Sequence, residues 1–168
     1  RIILQAIADI LPADSELTVL DIAHLPLYNQ DLEMGALPSS VIVARQIIAE
    51  NDAVIIVSPE FNHGMPGVLK NALDWLSRPA FNNPMVNKYV FFVTQSPSPL
   101  GGVRAQYQLR ETLSAMLCNI VPLPEVAISQ THEKIVNGVF NDESTLAYLK
   151  KQMETFLQAL SCQSSKAS

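Results

Sequence analysis

An α/β architecture, with a parallel sheet sandwiched between helices, is expected from three features of this 168-residue chain. Strand-like and helix-like runs alternate along it, the order that a parallel sheet with crossover helices needs. Two of the strand-like runs, 53–57 (AVIIV) and 89–93 (YVFFV), are continuously apolar rather than alternating, as befits strands covered on both faces. Each of these runs is followed by an irregular polar loop that leads straight into a helix-like stretch. At this length the chain is expected to form a single domain, 1–168, with a sizeable core.

The elements follow in order. Residues 1–11 carry apolar side chains at 3, 4, 7, 8, 10 and 11, a helical face, and Pro12 ends it. Residues 17–20 (LTVL) are the first strand expected. Prolines, Asn29, Asp31 and Gly35 make 21–37 a loop. Ser39 and Ser40 are placed to cap a helix running to about Glu50, with Val43, Ile47 and Ile48 among its apolar positions. After the strand at 53–57, a helix is expected over 67–77, with Leu69, Ala72, Leu73 and Leu76 on one side. The strand at 89–93 precedes a helix from Gly102 to about Cys118. Residues 126–128 are a last strand, 143–160 a closing amphipathic helix, and the small polar tail from Ser161 is expected to fray.

The formal charge of −5 argues against partners that need a basic face, namely nucleic acid and anionic membrane surfaces. No unbroken apolar stretch exceeds six residues, against the roughly 20 that a spanning helix requires. The N-terminus shows no charged segment followed by an apolar run and a small-residue cleavage site, so a cytoplasmic setting is expected. Cys118 and Cys162 are isolated, which suits reduced thiols, and His24, His63 and His132 share no metal-like spacing with them. Charged residues make up only 16% of the chain, which points to a surface partly covered by a partner subunit.

The chemistry is expected in the two loops, because ligands of open parallel sheets bind beyond the carboxyl ends of the strands. In the decapeptide 58–67, SPEFNHGMPG, Pro59 and Pro66 fix backbone angles, while Gly64 and Gly67 permit positive φ and close approach. The amides at Glu60, Phe61, Asn62 and His63 are then available to a planar, polar ligand such as a heteroaromatic ring edge. The same composition also suits a plain turn, with Pro66 near the first helical position and Asn62 as a turn residue. The second loop, 94–102 (TQSPSPLGG), is rich in small side chains and amides too, which fits cradling a flat ligand rather than acid/base work. Taken alone, it also reads as a proline-stiffened turn.

The stretch SPEFNHGMPGVLKNALDWLSRP resembles the P-E-[YF]-N-x-x-x-P-G-x-L-K-N-A-[LI]-D-W-L-S-R signature of the NADPH-dependent FMN reductases, which include quinone, chromate and azo-compound reductases. LGGVRAQYQLRETL (100–113) resembles the segment after that group's third flavin loop, and PLYNQDLE (26–33) its loop after the second strand. The resemblance implies a flavodoxin-like fold of strand order 2-1-3-4-5 with one FMN at its carboxyl edge. It assigns cofactor contacts to Pro59, Glu60, Phe61 and Asn62, with Phe61 in place of the usual tyrosine, and to Gln95 and Ser96 in the other loop. The family's phosphate loop, of G-S-x-R-x-x-S-x-N type, has no counterpart here, and Arg1 falls where it would give way to its helix. Without strand 1 that order would keep two unpaired inner edges, so the sequence is expected to begin about 15–25 residues into the fold.

The implied activity is transfer of hydride from NADPH or NADH through FMN to a quinone or similar small acceptor. No catalytic side chain is expected, since the cofactor carries the reaction. Glu60 is read as a binding residue rather than a base, and His63 as solvent-facing. Arg104 and Arg110 are read as a solvated or subunit-facing pair rather than a 2′-phosphate site. The resemblance also implies a homodimer or homotetramer, with Trp75–Pro79, Arg104, Tyr107 and Glu125 toward the interface and a Tyr107–Glu125 hydrogen bond as one option. A single-electron carrier of flavodoxin type and a flavin-binding module without turnover remain as alternatives.

Overall fold

The computed structural model describes residues 1–164. Its first half contains α1 (Ile2–Ile10), α2 (Gln30–Met34), α3 (Ser39–Glu50), β1 (Ala53–Pro59), α4 (Gly67–Leu76) and β2 (Tyr89–Gln95). The second half contains α5 (Val103–Ala115), β3 (Asn119–Ile120), β4 (Ala127–Ile128), a 3₁₀ turn at Thr131–Lys134, β5 (Ile135–Val136), β6 (Val139–Phe140) and α6 (Glu143–Ser164).

The sheet is parallel and centred on β2. β1 pairs with one edge of β2 in unbroken register from Ala53 opposite Tyr89 to Pro59 opposite Gln95. The other edge takes β3 at the start of β2 and β4 at its end. Side chains alternate across β2: Val90 and Phe92 join Ala44, Ile48, Leu73 and Leu109 from α3, α4 and α5, whereas Phe91 and Val93 join Ile7, Leu149 and Phe156 from α1 and α6. Two helical layers therefore enclose the central strand, which explains its unbroken apolarity. β1 is equally apolar, yet only Ile56 and Ser58 of it are buried, because it lies at the border of the described sheet rather than at its centre.

Several expectations are corrected. Residues 17–20 pair with no strand, and Val19 is 66% exposed; β-propensity without a neighbouring edge does not make a strand. The strands described run in the order β1-β2-β3, with β4 also on β2. The loop at 21–37 contains α2, whose N-terminus is capped by Asn29 accepting from the Asp31 amide. Pro38, not a serine, is the N-cap of α3, so Ser39 and Ser40 lie in its first turn. α5 stops at Ala115 because Leu117 turns left-handed (φ 61) and the Cys118 amide reaches back to the Leu113 carbonyl. α6 continues past Leu160 to Ser164, and the rest of the expected frayed tail lies outside the described residues. The antiparallel β5–β6 hairpin turns on Asn137-Gly138, both at positive φ, a pair that signals such a hairpin in sequence.

No helix among the described residues is long and apolar enough to cross a membrane. The close packing of the 95–102 loop on β4 depends on glycine: Gly101 has φ +61, and a Cβ there would lie 2.7 Å from the carbonyl carbon and oxygen of Ala127. Gly101→Ala is expected to lower stability by about 1–3 kcal/mol in urea denaturation. Gly67→Ala, with open space around the added methyl, is the control and should stay within about 0.5 kcal/mol of wild type.

Candidate functional site

The carboxyl ends of β1 and β2 bring the two loops together. Pro59 stands opposite Gln95, and the Glu60 amide continues the ladder by donating to the Gln95 carbonyl at 3.2 Å. The chain then folds into a two-residue hairpin: the Phe61 amide donates to the Gly64 carbonyl at 2.9 Å and the Gly64 amide to the Phe61 carbonyl at 3.0 Å. Its central residues, Asn62 (φ 49) and His63 (φ 66), are both left-handed, the signature of a type I′ turn. The amides of Asn62 and His63 carry no hydrogen bond to any described residue, and neither do the side chains of Asn62 and Gln95.

This differs from the expected loop in two respects. The amides of Glu60 and Phe61 are occupied within the chain, leaving those of Asn62 and His63. Positive φ falls on Asn62 and His63 rather than on Gly64 and Gly67, since asparagine tolerates the left-handed region and needs no glycine there. A Cβ on Gly64 would lie 2.6 Å from Gln108 Oε1, which accepts from the Met65 amide at 2.6 Å, so a side chain there would displace that bond.

Glu60 points away from solvent. Its side chain is 9% exposed, and the carboxylate accepts from the amides of Arg104 at 2.9 Å and Ala105 at 3.0 Å in the first turn of α5, with Arg104 Nη1 3.9 Å from its other oxygen. The expectation of a solvated or subunit-facing Arg104 missed this contact with the loop. In the second loop, the Ser96 hydroxyl accepts from the Ser98 amide at 3.1 Å and donates to the Ser98 hydroxyl at 3.0 Å. The Ser96 amide and carbonyl are held by the Ile128 carbonyl and the Thr131 amide and hydroxyl. Ser96 is thus 8% exposed and shapes the loop, while Phe61 stands out at 62% exposed.

A third segment is fastened to α4, the helix that follows the first loop. The Pro26 carbonyl accepts from Trp75 Nε1 at 2.8 Å and Asn71 Nδ2 at 3.0 Å, and Asn71 Oδ1 accepts from the Tyr28 amide at 2.8 Å. Tyr28 meets Trp75 edge-on at 4.9 Å and donates its hydroxyl proton to Glu33 at 2.5 Å. Arg78 Nε completes the group at 3.0–3.1 Å from both Glu33 oxygens. The hydrogen bond from Arg78, and then that from Tyr28, hold the Glu33 carboxyl below its ordinary value, and the bond to Glu33 raises the Tyr28 hydroxyl. Sequence reading placed Trp75 near an interface and missed these anchors, although Asn71 and Trp75 at i, i+4 on an otherwise apolar face were the available signal.

The remaining candidates sort as follows. Arg110 lies 5.3 Å from the Phe92 ring centroid as a cation–π lid on the sheet rather than a solvated side chain. Tyr107 is 59% exposed and has no partner among the described residues, while the Glu125 carbonyl receives the Tyr148 hydroxyl, so Tyr107 and Glu125 are not bonded within the chain. His63 is exposed, in line with a solvent-facing residue. Burial pushes the Cys118 thiol up to about 12, which leaves it unreactive. No cluster able to hold a metal ion occurs among the described residues.

Helices on both faces of a parallel sheet, with paired loops at its carboxyl edge, define a flavodoxin-like α/β protein. The family model described as NADPH-dependent FMN reductase matches residues 1–133, and the chain belongs to that family. It is 35% identical over 156 residues to a quinone reductase of Escherichia coli (strain K12), covering 90% of this chain and 82% of that protein. A 2-hydroxy-1,4-benzoquinone reductase of a Burkholderia species is also 35% identical, over 90% of this chain and 83% of its own length. The solved structure of FerB, a flavoenzyme NAD(P)H:(acceptor) oxidoreductase from Paracoccus denitrificans, superposes with a TM-score of 0.85 at 31% identity, covering 95% of this chain and 87% of that one.

The Tyr28–Glu33–Arg78 group sets a pH dependence. A carboxyl with a lowered folded pKa contributes stability that is fully present above its ordinary value of 4.5 and is lost as pH falls through the folded value. A tyrosine with a raised pKa contributes below 10.0 and loses its contribution at higher pH. In thermal melts, Glu33→Gln should flatten the fall in Tm below pH 4.5 relative to wild type, and Tyr28→Phe should flatten the fall above pH 10.0.

Proposed function

We propose that this protein is an FMN-dependent NAD(P)H oxidoreductase that passes hydride from a nicotinamide through FMN to quinones or similar small acceptors. The observation that carries this reading is the junction of the two loops: Pro59 lies opposite Gln95, and beside them the Asn62 and His63 amides and the Asn62 and Gln95 carboxamides have no partner in the described chain. Such unspent donors and acceptors on a rigid hairpin suit the flat, alternately donating and accepting edge of an isoalloxazine ring. The names of the relatives, quinone reductase and NAD(P)H:(acceptor) oxidoreductase, support the same substrate classes.

In this reading Pro59, Glu60, Phe61, Asn62, Gln95 and Ser96 hold the cofactor. Asn62 and Gln95 supply hydrogen bonds, and Pro59 and Phe61 an apolar surface. Glu60 and Ser96 act through the loop shapes they hold. FMN, when bound, supplies the centre that accepts and gives up hydride. Fixed amide donors near its polar edge favour the more electron-rich reduced form. Glu60 is committed to the α5 amides and serves as neither base nor acid.

The assembly belongs to the proposal as well: one domain per chain, paired as a homodimer or homotetramer in the cytoplasm. The low charge content supports it, as do the exposed side chains of Leu27, Met34 and Phe81.

The purified protein is expected to bind FMN, to lose its flavin absorbance when NADPH or NADH is added anaerobically, and to regain it on addition of a quinone. Failure to take up FMN overturns the reading, and flavin that dithionite reduces but neither nicotinamide does would mark a carrier or a module without turnover. Light scattering should give the mass of a dimer or tetramer, and a monomer refutes that part.

A further inference from the structure

We propose that Glu60 is a positioning residue that locks the two loops of the site into one body by capping α5 from a distance. The inference rests on the reading of those loops as the FMN site. α5 follows the second loop without a break, so whatever fixes its first turn also fixes where that loop ends. The N-cap of α5 is Gly102, left-handed at φ 85 and without a side chain to accept from the first-turn amides. The nearest hydroxyl upstream, that of Ser98, is engaged with Ser96. Glu60, 44 residues away in sequence, supplies the missing acceptor with one carboxylate oxygen that receives both the Arg104 and the Ala105 amides.

Bonds of this kind are strong, because the acceptor is ionised, nearly excluded from water and placed at the positive end of the helix dipole. One turn further along α5, Gln108 accepts from the Met65 amide on the far side of the hairpin. The hairpin that carries the free Asn62 and His63 amides is therefore gripped at both ends by one helix, and the Glu60 amide adds a link to Gln95. The other anchors of the second loop, through Ile128 and Thr131, fasten it to β4 and to the 3₁₀ turn and do not reach the first loop. Glu60, with Gln108 as the second grip, sets the separation between the two sets of ligand groups, and it alone among the described side chains reaches the first turn of α5 from the first loop.

Hydrogen exchange of the apoprotein and FMN titration of the same samples test this on wild type, Glu60→Ala and Glu60→Gln. In Glu60→Ala, amide exchange is expected to rise about tenfold to a hundredfold in both 60–64 and 98–105, and FMN Kd to rise by about tenfold or more. Glutamine keeps a carbonyl acceptor of the same reach, so Glu60→Gln should recover most of both losses. Unchanged exchange at 98–105 in Glu60→Ala overturns the proposal. So does weakened FMN binding with wild-type exchange in both loops, which would mean that the carboxylate contacts the ligand itself. If Glu60→Ala does not fold, Glu60→Asp, whose shorter side chain falls short of the α5 amides, decides: a joint rise in both loops sustains the coupling, and wild-type exchange at 98–105 ends it. Wild type that takes up no FMN would remove the proposed function, while the exchange data still decide whether Glu60 couples the loops.

Discussion

The in-register parallel pairing of β1 with β2 is the constraint from which the site follows. Because the two strands end level, with Pro59 opposite Gln95, the loops that leave them start side by side without further guidance. A slip of one residue would send Phe91 and Val93 to the face where Val90 and Phe92 now pack. Two different helical layers read opposite faces of β2, so the register is specified twice over. The site inherits its coarse alignment from core packing.

What the core sets coarsely, polar groups then refine. Nearly every hydrogen-bonding group near the strand ends is spent on shaping backbone: Ser96 on Ser98, Thr131 on Ser96, Gln108 on Met65 and Glu60 on α5. Among the groups left over are the amides of Asn62 and His63 and the carboxamides of Asn62 and Gln95. Low-dielectric surroundings make such fully used networks stiff, and a stiff cradle loses little when a flat ligand arrives. Tyr28, Glu33, Arg78, Asn71 and Trp75 extend the same economy to the 26–34 segment, which reaches α4 through its polar edge and one aromatic contact.

The alternation of elements and the meeting of the two loops at one sheet edge were legible because they rest on local patterns. Continuous apolar runs at 53–57 and 89–93, Pro12 after a helical face, and proline with glycine before α4 each state a local preference that the fold keeps. The 17–20 run shows the limit of that reasoning: its residues favour strand, but strands are made by neighbours, and Leu20 and Ile22 simply pack against the core while Val19 faces water. The signature around Pro59 pointed to this loop, yet composition could not tell which residues would turn left-handed or which amides would stay free. That depends on the reciprocal Phe61–Gly64 bonds. Nor could spacing reveal a helix cap donated from 44 residues away, since a capping side chain is sought beside the helix it caps. Asn137-Gly138 was the opposite case, a purely local hairpin signal present in the sequence and passed over.

The second loop has an inside and an outside. Ser96, Gly101 and Gly102 are buried against β4 and β2, whereas Pro97, Pro99 and Leu100 are turned to water. The inner residues can hardly change without moving a strand, but the outer ones touch little that the scaffold needs. Pro97, Pro99 and Leu100 therefore form a rim that can be substituted while the strands beneath it stay in place.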